Sequence, residues 1–277
     1  DLHYVRYFRF MDLVIVAIAV VFASGLTFFS GFGLGTIMLT VFSLFFDVSI
    51  AVGATAIVHL ANNIFKFALV SKHIHFPTLL RFGIPAMIFG AIGGLLLKQI
   101  DGLPVLHTYE LGDETFEITT IKVVIGILMI FFAIFDLSPR LSNIQVQPRH
   151  LPYGGMLSGF FGGVSGHQGA FRATFLTKAG LTKEQFIGTS NSVSLAVDLA
   201  RLAAYFVPAT IIASKSEIRF RDALMDGQTL LIVGIVFAFL GTFIGKQLIK
   251  KTTIKGIQRT VGVLLIVMGI LMGIGLI

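Results

Sequence analysis

From Leu13 to Phe46 the chain runs without a charged residue. As one straight helix this stretch would be about 50 Å long, against a hydrocarbon layer of about 30 Å. The segment must therefore tilt steeply or break. Ser30-Gly31-Phe32-Gly33-Leu34-Gly35 offers the place, because alternating glycines are poor helix formers. A second apolar helix is predicted from about residue 49 to 70, followed by a basic loop (Lys72, His73, His75) that Pro77 closes. A third crossing is predicted over 82–97 and a fourth over 120–137. Between them lies an acidic loop with Asp101, Glu110, Asp113, Glu114 and Glu117. Pro139, Pro148 and Pro152 mark residues 138–152 as a linker.

After the linker the order repeats. An apolar run is broken by Gly162-Gly163-Val164-Ser165-Gly166-His167-Gln168-Gly169, a helix with polar residues follows, and further crossings are predicted over 227–245 and 260–277. Laid over each other without gaps, residues 51–66 and 186–201 place Gly53 on Gly188, Thr55 on Ser190, Asn63 on Asp198 and Lys66 on Arg201. The tetrapeptide Thr-Thr-Ile-Lys also occurs at 119–122 and at 252–255, each time before the last helix of its half. The pattern predicts an all-α, polytopic membrane protein of about eight transmembrane helices. They form two homologous four-helix repeats, over 1–137 and 153–277, joined by the linker.

In a duplicated transporter, helices broken at matching positions point to a binding site between the halves near the bilayer midplane. Thr55, His59, Asn62, Asn63 and Lys66 share one helical face, as do Asn191, Ser194, Asp198, Arg201 and Tyr205. Polar groups at membrane depth avoid lipid, so both stripes should face a partner helix or a watered cavity. A helix that starts inside the membrane presents unpaired N–H groups and the positive end of its dipole, which favour an anion. The residues expected to bind such a substrate are Gly33, Gly35, Thr55, His59, Asn63, Lys66, Gly166, His167, Gln168, Ser190, Asn191, Asp198 and Arg201. Arg201 is expected to hold the negative charge while Asp198 orients its guanidinium. The plainer alternative is that the pair only staples the fold, and that Lys66 reaches for the headgroups. Gly90, Gly94, Gly241 and Gly245 are assigned to close helix packing instead.

Composition narrows the class. Of 277 residues 55% are hydrophobic and 13% charged, with a mean hydropathy of +0.91, about half the charge that soluble domains carry. The net charge of +7 is scattered between apolar runs, which argues against nucleic acid and for headgroup contacts, Lys246 to Arg259 above all. With no Cys, disulfides, thiolate metal sites and Cys nucleophiles are excluded. Gly31-x-Gly33-x-Gly35 lacks the strand-then-helix setting of a dinucleotide fold, and neither a P-loop nor a His-Glu-x-x-His is present. No enzyme, cofactor or metal is expected. His59, His167 and Asp198, the candidates for a membrane-embedded enzyme, have no recognisable spacing.

The duplicated unit resembles the TauE/SafE sulfite exporter family over nearly the whole chain. The resemblance rests on Gly31-Phe32-Gly33-Leu34-Gly35 with Val52-Gly53-Ala54-Thr55, and on Gly162-Gly163-Val164-Ser165-Gly166 with Ile187-Gly188-Thr189-Ser190-Asn191. It implies a multi-pass cell-membrane transporter, an exporter of sulfite or an organosulfonate, with a small carboxylate or other inorganic anion as the alternative. His167 and Gln168 stand where many members have further glycines. The partners it implies are the anion, the lipid bilayer and a coupling ion, proton or sodium; a homodimer is open, as are orientation and whether the repeats are parallel or inverted.

Overall fold

The computed structural model describes residues 9–28, 33–138, 147–206, 215–248 and 254–277. Ser30, Gly31 and Phe32 of the first expected break lie outside the described residues, as do Lys250 and Lys251 and most of the expected linker. The elements run α1 (Phe10–Thr27), α2 (Leu34–Phe42), α3 (Val48–Val70), α4 (Phe76–Asp101), β1 (Val105–Leu111), β2 (Glu114–Thr119) and α5 (Thr120–Leu137). There follow α6 (Leu151–Ser165), α7 (Gly169–Leu176), α8 (Lys183–Phe206), α9 (Lys215–Asp226), α10 (Gln228–Leu248) and α11 (Ile254–Gly273).

The chain is arranged as an integral membrane protein, apolar outside and polar within. Val48–His73, Phe76–Asp101 and Gln228–Gln247 are each long and apolar enough to cross a bilayer, and α1, α5 and α11 contain shorter apolar helices. On α4 the outward residues are Leu80, Ile84, Met87, Ile88, Ile92 and Leu95, and on α10 they are Ile232, Val236, Leu240 and Phe243. Spacings of three and four put each set on one face, and such faces suit a lipid surround. By contrast α3 and α8 are interior and carry the buried polar residues.

The second expected break occurs, and the described residues on either side of the first belong to separate helices. α1 ends at Thr27 and α2 begins after Gly33, whose φ is 99°; α6 ends at Ser165 and passes through Gly166 at φ 80° before α7 starts at Gly169. Backbone of that hand is cheap only for glycine, so both positions call for the residue the chain has there. The breaks also touch, since a Cβ on Gly35 would stand 3.1 Å from the Gly166 carbonyl oxygen.

Helices pair as α4 with α6 and α8, α1 and α3 with α10, α5 with α11, and α3 with α8. Small residues permit the closest crossings. A Cβ on Gly159 or Gly163 would collide with the carbonyl oxygen of Ala86 or Gly90 on α4, and one on Gly245 would stand 2.5 Å from the Gly25 carbonyl oxygen on α1. Gly90, Gly241 and Gly245 are packing glycines as expected. Gly162 and Gly163 are packing glycines too, which corrects their assignment to the break. Gly163→Ala is expected to lower stability by about 1–3 kcal/mol through overpacking, whereas Gly273→Ala, with nothing within 4 Å of its Cβ, leaves it unchanged. Thermal unfolding of the purified variants checks this.

Two elements were not expected. The acidic loop is an antiparallel hairpin in which Tyr109 stacks on Phe116 at 5.6 Å between ring centroids and Gly112 turns the chain at φ 67°. α9 adds a short helix between the polar helix α8 and the crossing α10. Pro77 opens α4 instead of closing a loop, because the first helical turn does not use the N–H that proline lacks.

Candidate functional site

Six buried side chains with a charged or imidazole group occur among the described residues: His59, Lys66, His167, Arg172, Asp198 and Arg201. All six lie at one place, where the polar faces of α3 and α8 meet the two helix breaks. Both stripes face protein or cavity as expected: His59 and Asn63 meet Asn191, Ser194 and Asp198 across α3 and α8, whereas Asn62 accepts from Thr242 on α10 at 2.7 Å, and Asp198 and Arg201 are completely buried in protein.

Asp198 is the hub. One carboxylate oxygen, Oδ2, lies 2.7 Å from His59 Nδ1 and accepts from Asn63 Nδ2 at 2.7 Å. The other, Oδ1, accepts from Gln168 Nε2 at 2.9 Å and lies 2.8 Å from Arg201 Nη2. Asn63 also donates to Ser194 Oγ at 2.9 Å, and Asn191 donates back to the Asn63 carbonyl at 3.1 Å. A buried carboxylate is tolerated when its lone pairs are met in this way. Arg201 is only partly satisfied by the chain around it: Nη1 donates to the Gly162 carbonyl at 3.3 Å, Nε and Nη2 are buried without a hydrogen bond although Nη2 is ion-paired with Asp198, and the neighbouring Tyr205 hydroxyl donates to the Gly163 carbonyl. Those carbonyls belong to the last turn of α6, the negative end of a helix that stops inside the protein.

Two small cavities adjoin this hub. The first lies between α3, α8 and the end of α1, lined by Phe28, His59, Asn63, Lys66, Arg172, Ser190, Asn191 and Ser194 among others. The second lies at the two breaks and is lined by Gly33, Gly35, Thr36, His59, Phe132, Gly166, His167, Gln168 and Arg172. The room open to the centre of a water molecule is about 40 Å³ in the first and about 20 Å³ in the second, against about 10–15 Å³ for one water. The first has room for a few waters or one small anion.

Of the residues expected to bind substrate, Asn63, Lys66, Ser190 and Asn191 line the first cavity, and Gly33, Gly35, Gly166, His167 and Gln168 the second, while His59 lines both. Thr55 is buried in α3 and lines neither cavity, and neither do Asp198 and Arg201. Lys66 does not reach outward to headgroups: it is buried, with its ammonium 5.8 Å from the centroid of the Phe28 ring.

Arg172 escaped the sequence reading, yet it lines both cavities. Its Nε donates to Ser190 Oγ at 2.9 Å and its Nη1 to Gln168 Oε1 at 2.8 Å, so it joins the second break to the polar face of α8. Its signal was present, as it is the only charged residue between His167 and Lys178 and stands one helical turn after Gln168.

The family model described as Sulfite exporter TauE/SafE matches residues 15–272. No curated protein and no solved structure matches the chain.

Proposed function

Because the chain belongs to the TauE/SafE family of membrane transporters, we propose that it moves sulfite or a small organosulfonate and binds it in the first cavity, near the bilayer midplane. One observation carries the reading. The only buried carboxylate among the described residues has both oxygens met by His59, Asn63, Gln168 and Arg201, and the wall of the first cavity carries two cationic side chains, Lys66 and Arg172. Ser190, Asn191 and Ser194 add hydroxyl and amide groups. A guanidinium fork matches the oxygens of a sulfonate, and the lysine adds a point charge. Export is the direction that the family's description carries.

The helix pairing supports two repeats, over 1–137 and 153–277 about the linker 138–152, with eight crossings when each broken helix counts once. Exchanging the halves turns α1, α3, α4 and α5 into α6, α8, α10 and α11. The contact of α1 with α10 then becomes that of α6 with α4, and α3 with α10 becomes α8 with α4; α3 with α8 and α5 with α11 map onto themselves. Breaks at matching positions on either side of one site fit that arrangement.

Binding by protein in lipid nanodiscs tests the substrate class. Sulfite and methanesulfonate are expected to bind, acetate more weakly, and benzenesulfonate not at all because its ring exceeds the cavity. Lys66→Gln should weaken methanesulfonate binding. Equal affinity for the aromatic anion would remove the first cavity as the site.

A further inference from the structure

His59 lines both cavities, and its surroundings fix which ring nitrogen they meet. Nδ1 lies 2.7 Å from Asp198 Oδ2, so the Nδ1 proton is the one given to the carboxylate, and Nε2 remains for the cavities. Its Cδ2, next to Nε2, lies 3.8 Å from where a Cβ on Gly35 would stand, at the meeting point of the two breaks.

His167 repeats the arrangement across the second cavity. The Ser165 hydroxyl donates its proton to the Phe161 carbonyl at 3.0 Å, so it can only accept from His167 Nδ1, 3.0 Å away. The proton of the neutral ring is thereby placed on Nδ1. Nε2 of His167 is buried and has no hydrogen-bond partner, while the ring is held flat against Phe132 at 5.2 Å. The second cavity thus has two imidazoles on its wall, each with Nδ1 engaged, and room for water between them.

We propose that His59 is the proton carrier of transport: a proton taken up at Nε2 through the second cavity accompanies each anion held in the first. The inference rests on the functional reading above and names its coupling ion. The step is a proton transfer alone, in which the Nε2 lone pair takes H⁺ from hydronium to give imidazolium and water; nothing is oxidised or reduced.

The charges around His59 make the two events depend on each other. Asp198 and Arg201 face it from α8, Lys66 from its own helix, Arg172 from α7, and His167 from the break between α6 and α7. The other helices packed on α3 bring no buried ionisable side chain among the described residues. A proton on His59 adds a positive charge beside Lys66, Arg172 and Arg201, and an anion in the first cavity offsets it. Each ligand raises the affinity for the other, by the same factor in both directions. Sodium fits less well, because it needs oxygen ligands and both Asp198 oxygens are occupied.

The test measures protons taken up when methanesulfonate binds to the wild-type protein in nanodiscs, followed with a pH dye in weak buffer near neutral pH. Methanesulfonate is the anion of a strong acid and carries no proton of its own. Uptake close to one proton per anion is expected, with affinity falling about tenfold per pH unit once the imidazole is neutral. His59→Gln should still bind methanesulfonate, more weakly, and take up no proton. Binding by wild type without proton uptake and with a flat pH dependence overturns the proposal, whether or not the variant folds. Full uptake by His59→Gln overturns the assignment to His59. Failure of wild type to bind methanesulfonate or sulfite at all overturns the functional reading itself, and the coupling with it.

Discussion

Arg172→Gln is expected to weaken anion binding severely in a protein that still folds. Arg172 lines both cavities and is joined to Ser190 on one side and to Gln168 on the other, so its guanidinium is positioned before any ligand arrives. Truncating a buried charged partner in a binding site costs about 2–5 kcal/mol, which is a loss of about 30-fold to several thousand-fold in affinity. The fold loses less, since the Ser190 and Gln168 groups left behind cost about 1–3 kcal/mol and glutamine can meet part of that need. Arg172→Lys should fall between, keeping the charge and losing the fork. Methanesulfonate titrations on monodisperse variants decide the matter; wild-type affinity in Arg172→Gln would take Arg172 out of the site.

Asp198→Asn is expected to act in the opposite way, chiefly on stability. Four groups converge on the carboxylate: His59, Asn63, Gln168 and Arg201. An asparagine there turns an NH₂ toward donors and leaves Arg201 buried without its counter-charge. Breaking a buried pair by removing one partner costs about 3–5 kcal/mol, a large share of the about 5–15 kcal/mol that typically holds a domain together. Arg201→Lys should likewise lower the melting temperature, because one ammonium cannot reach both Asp198 and the Gly162 carbonyl as the guanidinium does. Such results would favour the staple, the plainer alternative that the three-residue spacing of the pair offered, over a substrate role for Arg201. Melting temperatures and methanesulfonate affinities of both variants separate the roles. A folded Arg201→Lys protein with normal stability and impaired binding would restore the guanidinium to the anion site.

The features determined by the sequence itself are those that a short window and the solvent together dictate. An uncharged run from Leu13 to Phe46 is longer than a bilayer is thick, so a break follows from length alone, and glycine marks its place. The faces of α3 and α8 follow from a period of 3.6 residues, and their burial from the cost of polar groups in lipid. The hairpin was legible too: Gly112-Asp113 sits between runs rich in Tyr, Phe, Thr and Ile, a two-residue turn signal that the acidic charges obscured. What only the tertiary structure decided is how those faces are used. His59 and Asn63 meet Asp198 across separations of 139 and 135 residues, and no local pattern encodes which polar residues pair and which stay open to a cavity. Arg201 and Arg172 are the same residue type on apolar backgrounds. One is ion-paired with Asp198 and lines neither cavity, and the other borders both, because the break at Gly166 turns α7 toward α8 and brings Arg172 beside Ser190. The charge of a side chain can be read from one residue, but whether that charge is already neutralised depends on neighbours that only the folded chain brings together.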